Sequence, residues 1–359
     1  MAVRLPSVEL AKKLISFKTA TGNFVEINRC LSFCRAYLGN GLYFKTFSFN
    51  GVDSLYACTK KTLAPKLLIL GHVDVVPAEP GQFKAFVKGG KLFGRGSCDM
   101  KGQAAVCLNV LRDSGKGTSV ALLLTSDEET SGENGAKRLA KILKPDFVLS
   151  VDIPHARIVT KQKGVIRAVV SASGKACHGS MPWLGDNAIE RLMPAFPRIK
   201  RVFRKTRKGE DNWFPTLNLG IFSGGEAANK VPDRAGMTLD IRYTEKDDPR
   251  EIVKKIKSAV KSVKGVRVSV FRFTPNLSID EKNEKLLLLK RIFEKNFRRN
   301  VSFAKEHGAG DQRFFSAKGF PVAVFGFDGK NLHAKNEFAD TASMKKFEKT
   351  LAEFVTEIA

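Results

Sequence analysis

Acidic residues are scarce in this chain: 36 Asp and Glu stand against 61 Lys and Arg among 359 residues, a formal net charge of +25. An excess of that size favours anionic partners, whether nucleic acid, an anionic membrane surface or anionic small molecules, and does not choose among them. Long apolar runs are also missing. None approaches the ~18 residues of a membrane-spanning helix, and the strongest are strand-sized. The N-terminal stretch mixes Lys12 and Lys13 with apolar side chains and has no signal-peptide core, so a cytoplasmic protein is expected. The six cysteines (Cys30, Cys34, Cys58, Cys98, Cys107 and Cys177) follow neither a disulfide framework nor a zinc-knuckle spacing, and read as reduced, mostly buried thiols. Internal repeats and low-complexity linkers are absent. With 43% hydrophobic and 27% charged residues, disorder, collagen and coiled coil are excluded.

What is present reads as alternating elements. Residues 8–38 carry apolar side chains at helical spacing, as one or two amphipathic helices. Apolar strand-like runs at 67–70, 120–124 and 147–151 then alternate with helix-like segments at 103–111 and 135–143. That alternation predicts βαβ units and a largely parallel sheet. From residue 165 the pattern changes: strands at 165–173, 216–222, 236–242 and 266–273 surround helices at 187–203 and 249–263. This block reads as a separate α+β domain. Helices at 283–296 and 344–358 and an apolar run at 321–327 suggest a return to the first sheet. The length fits two domains, one inserted in the other.

Chemistry collects after the predicted strands. Gly71-His72-Val73-Asp74 follows the first, Thr125-Ser126-Asp127-Glu128-Glu129 the second, and Asp152 the third. Gly94-Arg95-Gly96-Ser97-Cys98-Asp99 leads into the helix between the first two. Ligands of parallel α/β sheets gather outside the carboxyl ends of the strands, so these groups should converge. Histidine with several carboxylates suits zinc, manganese or cobalt, and the surplus of acids allows two ions to share a bridging carboxylate. Asp74 is placed to orient His72. Of the adjacent Glu128 and Glu129, one can ligate while the other stays free as a base. Each piece alone is commonplace; together, in a chain so poor in acids, they specify a site. Gly94-Arg95-Gly96 is not a dinucleotide fingerprint, because the third glycine is missing.

These segments resemble the M20 metallopeptidase and amidohydrolase family. The resemblance extends through Gly174-Lys175-Ala176-Cys177-His178-Gly179, Asn229-Lys230-Val231-Pro232-Asp233, Asp240-Ile241-Arg242, residues 308–314 and His333-Ala334-Lys335-Asn336-Glu337, and so covers nearly the whole chain. It implies a zinc-peptidase-like α/β catalytic domain with a mixed, largely parallel sheet (1–163 and 275–359), and an inserted α+β, ferredoxin-like lid and dimerisation domain (164–274). It implies two Zn2+, with Co2+ or Mn2+ as substitutes. Asp99 would bridge them, His72 and Asp152 would complete one site, and Glu129 and His333 the other. Asp74 would orient His72. Glu128 would act as general base and acid while water activated at the metal pair attacks an amide carbonyl. His178 would help stabilise the oxyanion from the partner in a homodimer. Asn229, Arg242 and Gly308 would bind the substrate carboxylate. The implied substrate is a small anionic N-acyl amino acid of the N-succinyl-diaminopimelate or N-acetylornithine type. His155 and His307 match no role and are expected on the surface or in loops.

Two departures bear on specificity. The segment between Pro77 and Gly94 is short and lacks the Trp and the Pro-Phe pair usual in the family. Asp152 stands where family deacylases usually carry Glu and aminopeptidases and dipeptidases Asp, which keeps a dipeptide substrate as the alternative. A second class, a basic nucleic-acid-binding protein, would rest on Arg198, Lys200, Arg201, Arg204, Lys205, Arg207 and Lys208. That run has no recognised module and little aromatic interleaving, so nucleic acid is not the expected partner.

Overall fold

Four neighbouring strands, Val120–Thr125, Leu67–His72, Val148–Ser150 and Val322–Phe325, run parallel in that order and are buried along their whole length. Successive side chains leave opposite faces, so a strand covered on both sides is apolar throughout. Leu67, Ile69, Leu122 and Leu124 enter one core with the helices Ser7–Ser16, Phe24–Leu38, Lys101–Asp113, Glu284–Phe297 and Thr341–Ile358. Leu68, Leu70, Leu123 and Val148 enter a second core with Ala136, Leu139 and Phe315. The result is a mixed α/β layer structure. Antiparallel strands extend the sheet on both sides: the hairpin Tyr43–Phe49 with Val52–Cys58 beside Val120–Thr125, and Ile158–Gln162 beside Val322–Phe325.

The computed structural model describes residues 3–115 and 117–358. They fall into two compact units, one of the described residues up to Lys161 with Leu277–Glu306 and those from Gly310 onward, the other of Gln162–Asn276 with His307–Ala309. In the second unit the strands Gly164–Ser173, Thr216–Gly224, Arg234–Tyr243 and Val266–Thr274 alternate with helices as β-α-β-β-α-β. All pairings are antiparallel, with Arg234–Tyr243 and Gly164–Ser173 in the middle. This is a ferredoxin-like arrangement. Along Arg234–Tyr243 every second residue, including Met237, Leu239 and Ile241, is buried in the core that the helices share, while Asp240 and Arg242 stay half-exposed.

Local chemistry explains where the elements depart from the sequence reading. The segment 187–203 is not one helix. Asn187 caps Ala188–Leu192 through its side chain, and a second helix, Ala195–Lys200, starts after Pro194, whose ring cannot donate to the preceding turn. Residues 135–143 form a helix only over Ala136–Leu139 before running into turns. The hairpin at 43–58 was not anticipated; Asn50 and Gly51 both take positive φ, as a tight two-residue turn requires. All six thiols are free. Among the described residues no helix is long and apolar enough to cross a membrane.

Candidate metal centre

His72 is the last residue of its strand, and its register partner on the neighbouring strand is Thr125, whose strand runs directly into the turn carrying Glu128 and Glu129. That turn is closed by Asp127, whose carboxylate accepts the backbone N–H groups of Asn134 at 2.8 Å and Gly135 at 3.0 Å. Asp152 lies two residues beyond Ser150, on the third strand. Three parallel strands therefore end at one level and present His or carboxylate there. Asp99 arrives on the loop before the helix Lys101–Asp113, across an Asp99–Met100 peptide that is cis. His333 arrives between Gly329–Lys330 and Phe338–Asp340, two strands of a small antiparallel sheet completed by Phe86–Lys88 and Lys91–Phe93.

The distances put these groups around one point. His72 Nε2 lies 3.3 Å from Asp99 Oδ1 and 3.8 Å from Asp152 Oδ1. His333 Nε2 lies 3.1 Å from Asp99 Oδ2 and 3.5 Å from Glu129 Oε2. The donor atoms form two clusters, His72 with Glu128 and Asp152, and Asp99 with Glu129 and His333, each within 4.8 Å. Asp74 stands behind them. His72 Nδ1 is 3.0 Å from its main-chain oxygen, and its carboxylate accepts the backbone N–H of Glu129 at 3.0 Å and of Glu128 at 3.4 Å.

The electrostatics are those of a cation site. Burial opposes a charge on His72, but the carboxylates of Asp152, Asp74 and Asp99 outweigh it and hold its pKa well above the ordinary value. Asp99 is also desolvated, yet His333 and His72 keep it well below the usual carboxylate range. Contacts with Asp99 and Glu129 raise His333 to about 10. Desolvation, followed by the charge of Asp152, pushes the Glu128 carboxyl well above its ordinary value. The buried Nε2 of His72 has no hydrogen-bond partner while facing two carboxylates. A divalent ion between them would satisfy that nitrogen and offset the acids, and an N/O donor set of this kind suits zinc, cobalt or manganese.

The remaining sequence candidates, His178, Asn229, Arg242 and Gly308, belong to the second unit. His178 and Lys230 form an isolated bridge, and Gly179 N–H donates to the main-chain oxygen of Asn229 at 2.7 Å, so those two loops are neighbours. The Arg242 guanidinium holds Asp240, with Nε 2.7 Å from Oδ1. Gly308 faces open space. His307 is exposed and meets the Trp213 ring edge-on, and His155 lies half-buried in a loop.

Four residues beside the centre carried no role in the sequence reading. Buried Asp311 accepts from Thr125 Oγ1 at 3.0 Å, and desolvation raises it to about 7. Gln312 accepts from Ser150 Oγ at 3.1 Å. Arg95 and Glu337 form a fully buried ion pair at 2.6 Å. All four sit inside the motif segments; only their adjacency to the assigned residues could have signalled them.

Residues 68–357 match the sequence model of peptidase family M20/M25/M40. The chain is 28% identical to the succinyl-diaminopimelate desuccinylase of Acidiphilium cryptum over 94% of each chain. Its fold is similar to that of an M20 family metallo-carboxypeptidase from Sulfolobus solfataricus, with a TM-score of 0.81, 17% identity and 99% of each chain covered. It is also similar to aminopeptidase PepT from Bacillus cereus, with a TM-score of 0.79, 20% identity and 98% of each chain covered. At those identities the likeness to the solved structures is one of fold.

Proposed function

The chain belongs to peptidase family M20/M25/M40, and from that premise we propose that this amide-bond hydrolase removes the acyl group from a small N-acyl amino acid at a centre for two zinc ions. One observation carries the reading: the two carboxylate oxygens of Asp99 face different histidines, Oδ1 toward His72 at 3.3 Å and Oδ2 toward His333 at 3.1 Å. A carboxylate so placed would be able to serve two ions at once. His72 and Asp152 would hold one ion, Glu129 and His333 the other. When bound, the ions would polarise the scissile carbonyl and make water nucleophilic at neutral pH.

The chain's own groups do the rest. Glu128, beside His72 and Asp152, takes a proton from the attacking water and returns it to the leaving amine. Asp74 holds the ring of His72 and the Glu128–Glu129 turn in one frame. Asn229, Arg242 and Gly308 bind the substrate's carboxylate, for which the planar fork of Arg242 is suited. His178 helps stabilise the oxyanion from a second copy of the chain, the dimer forming through residues 164–274. A cytoplasmic enzyme of amino-acid biosynthesis is the corresponding setting.

The desuccinylase relatives support a substrate of the N-succinyl-diaminopimelate type, and the match to an acetylornithine deacetylase over 49% of the chain supports the N-acetylornithine type. Asp152 supports a second reading, a dipeptidase or aminopeptidase on the same scaffold. Assays of N-succinyl-diaminopimelate, N-acetylornithine and a dipeptide panel, with zinc or cobalt added, separate the two. Turnover of the acyl substrates is expected; turnover of dipeptides alone would overturn the first reading.

A further inference from the structure

Asp99 and His333 are 234 positions apart and reach the centre on loops, not on strand ends. Something must hold the two loops in register. Glu337 is buried, with no exposed side-chain surface, and it belongs to neither donor cluster. Its Oε1 accepts the backbone N–H groups of Cys98 at 3.0 Å and Asp99 at 3.2 Å. Its Oε2 accepts that of Gly96 at 3.0 Å and Arg95 Nη1 at 2.6 Å. The Asp99 loop is thus wrapped on one carboxylate. Arg95 extends the hold to the other loop, because its Nη2 donates to the main-chain oxygen of His333 at 3.0 Å. His333 needs such an anchor: its φ of 62° lies in the left-handed region, and its side chain is 53% exposed, so packing does little to fix it.

A buried ion pair adds little to stability, since desolvation offsets most of the attraction. The contacts of this pair go instead to the backbone of two loops that each deliver one donor. We propose that Arg95 and Glu337 are positioning residues, a clamp that sets the separation of Asp99 and His333 before a divalent cation arrives. The proposal rests on the metal-centre reading above.

The test is zinc titration of the metal-stripped protein in competition with a chromophoric chelator, with the melting temperature of the metal-free form measured alongside. The double variant Arg95→Met with Glu337→Gln leaves no unpaired buried charge and keeps an acceptor oxygen for the amides of Cys98 and Asp99, while its NH2 faces Gly96 N–H. It should stay folded without metal, melting somewhat below the metal-free parent, and bind one of its two ions about 10–100-fold more weakly with the other unchanged, the range seen when residues supporting metal ligands are changed. Arg95→Lys keeps the charge pair and gives up the second arm of the fork, so it should weaken the same ion by a smaller factor. If the double variant does not fold, Arg95→Lys decides alone. Parental affinity for both ions in a folded variant overturns the clamp. A parent that binds no zinc overturns the metal reading beneath it.

Discussion

The ring of His72 is closer to the main-chain oxygen of Asp74, at 3.0 Å, than to its carboxylate, at 3.4 Å. The carboxylate is engaged by the backbone of Glu128 and Glu129. Asp74 therefore acts on both sides of the centre: its backbone sets the tautomer of His72, and its side chain holds the turn that carries the base.

Asp74→Ala leaves the backbone contact to His72 and strands two N–H groups. Loss of charged acceptors of this kind costs about 1–3 kcal/mol. The variant should melt earlier than the parent, and its kcat should fall about 10–100-fold, as for other groups that hold metal ligands in place. Zinc content at saturation should stay at the parental value. Thermal melts, kcat on the best acyl substrate and metal analysis check the three parts.

Glu128→Gln is nearly isosteric but has no carboxyl group to take up and return a proton. If Glu128 shuttles protons, kcat should drop by about 10²–10⁴ while zinc stoichiometry is unchanged. Hydrolysis at the parental rate in this variant would remove Glu128 from the mechanism.

Much of the candidate centre was legible because four of its residues follow strands, whereas Asp99 and His333 arrive on loops. His72, Glu128, Glu129 and Asp152 each sit within a few residues of the end of a buried apolar run, and a parallel sheet delivers such ends to one edge. Arg95 and Glu337 were not legible in their role, which consists of contacts to backbone across 238 to 241 positions of sequence. The hairpin at 43–58 carried a readable Asn50-Gly51 turn, and Gly89-Gly90 joins Phe86–Lys88 to Lys91–Phe93 in the same manner. Both were missed because their strands are short or mix Lys, Ser and Thr with Phe, which blurs the period-two pattern. The single helix expected at 187–203 failed for the opposite reason: apolar periodicity continued through Pro194, where the backbone could not follow.

Zinc binding should release protons. In the metal-free protein, contacts with Asp99 and Glu129 raise His333 to about 10, so the ring is charged at neutral pH. A raised folded-state pKa means that this charge stabilises the metal-free fold fully below the unfolded value of about 6.5 and that the contribution is lost as pH rises through about 10. An ion that takes the ring nitrogen must displace the proton, so affinity should weaken as pH falls from about 8 to 6. Calorimetric titration in two buffers of different ionisation enthalpy reads the protons released. A heat independent of the buffer would show that the ion displaces no net proton from His72 and His333, against their role as ligands.

The excess of basic residues gains a meaning once the acids are located. Asp74, Asp99, Glu128, Glu129 and Asp152 are five of only 36 acidic residues, and all five lie at the candidate centre, so the rest of the chain is more basic than the net +25 suggests. Two ions at that centre would offset much of its local negative charge and leave a positive field over the molecule. Such a field accelerates the encounter with anions and is screened by salt, with a Debye length of about 8 Å at 0.15 M and about 30 Å at 0.01 M. For an N-succinyl substrate bearing several carboxylates, kcat/KM should fall up to about tenfold across that range of salt. A net-neutral dipeptide or a net-neutral ester without a free carboxylate should lose little, since it has no net charge for the field to act on. The contrast between the two substrates is what matters, because an equal loss for both would mean that salt acts on metal binding or on the fold. In that event the charge has no part in substrate capture.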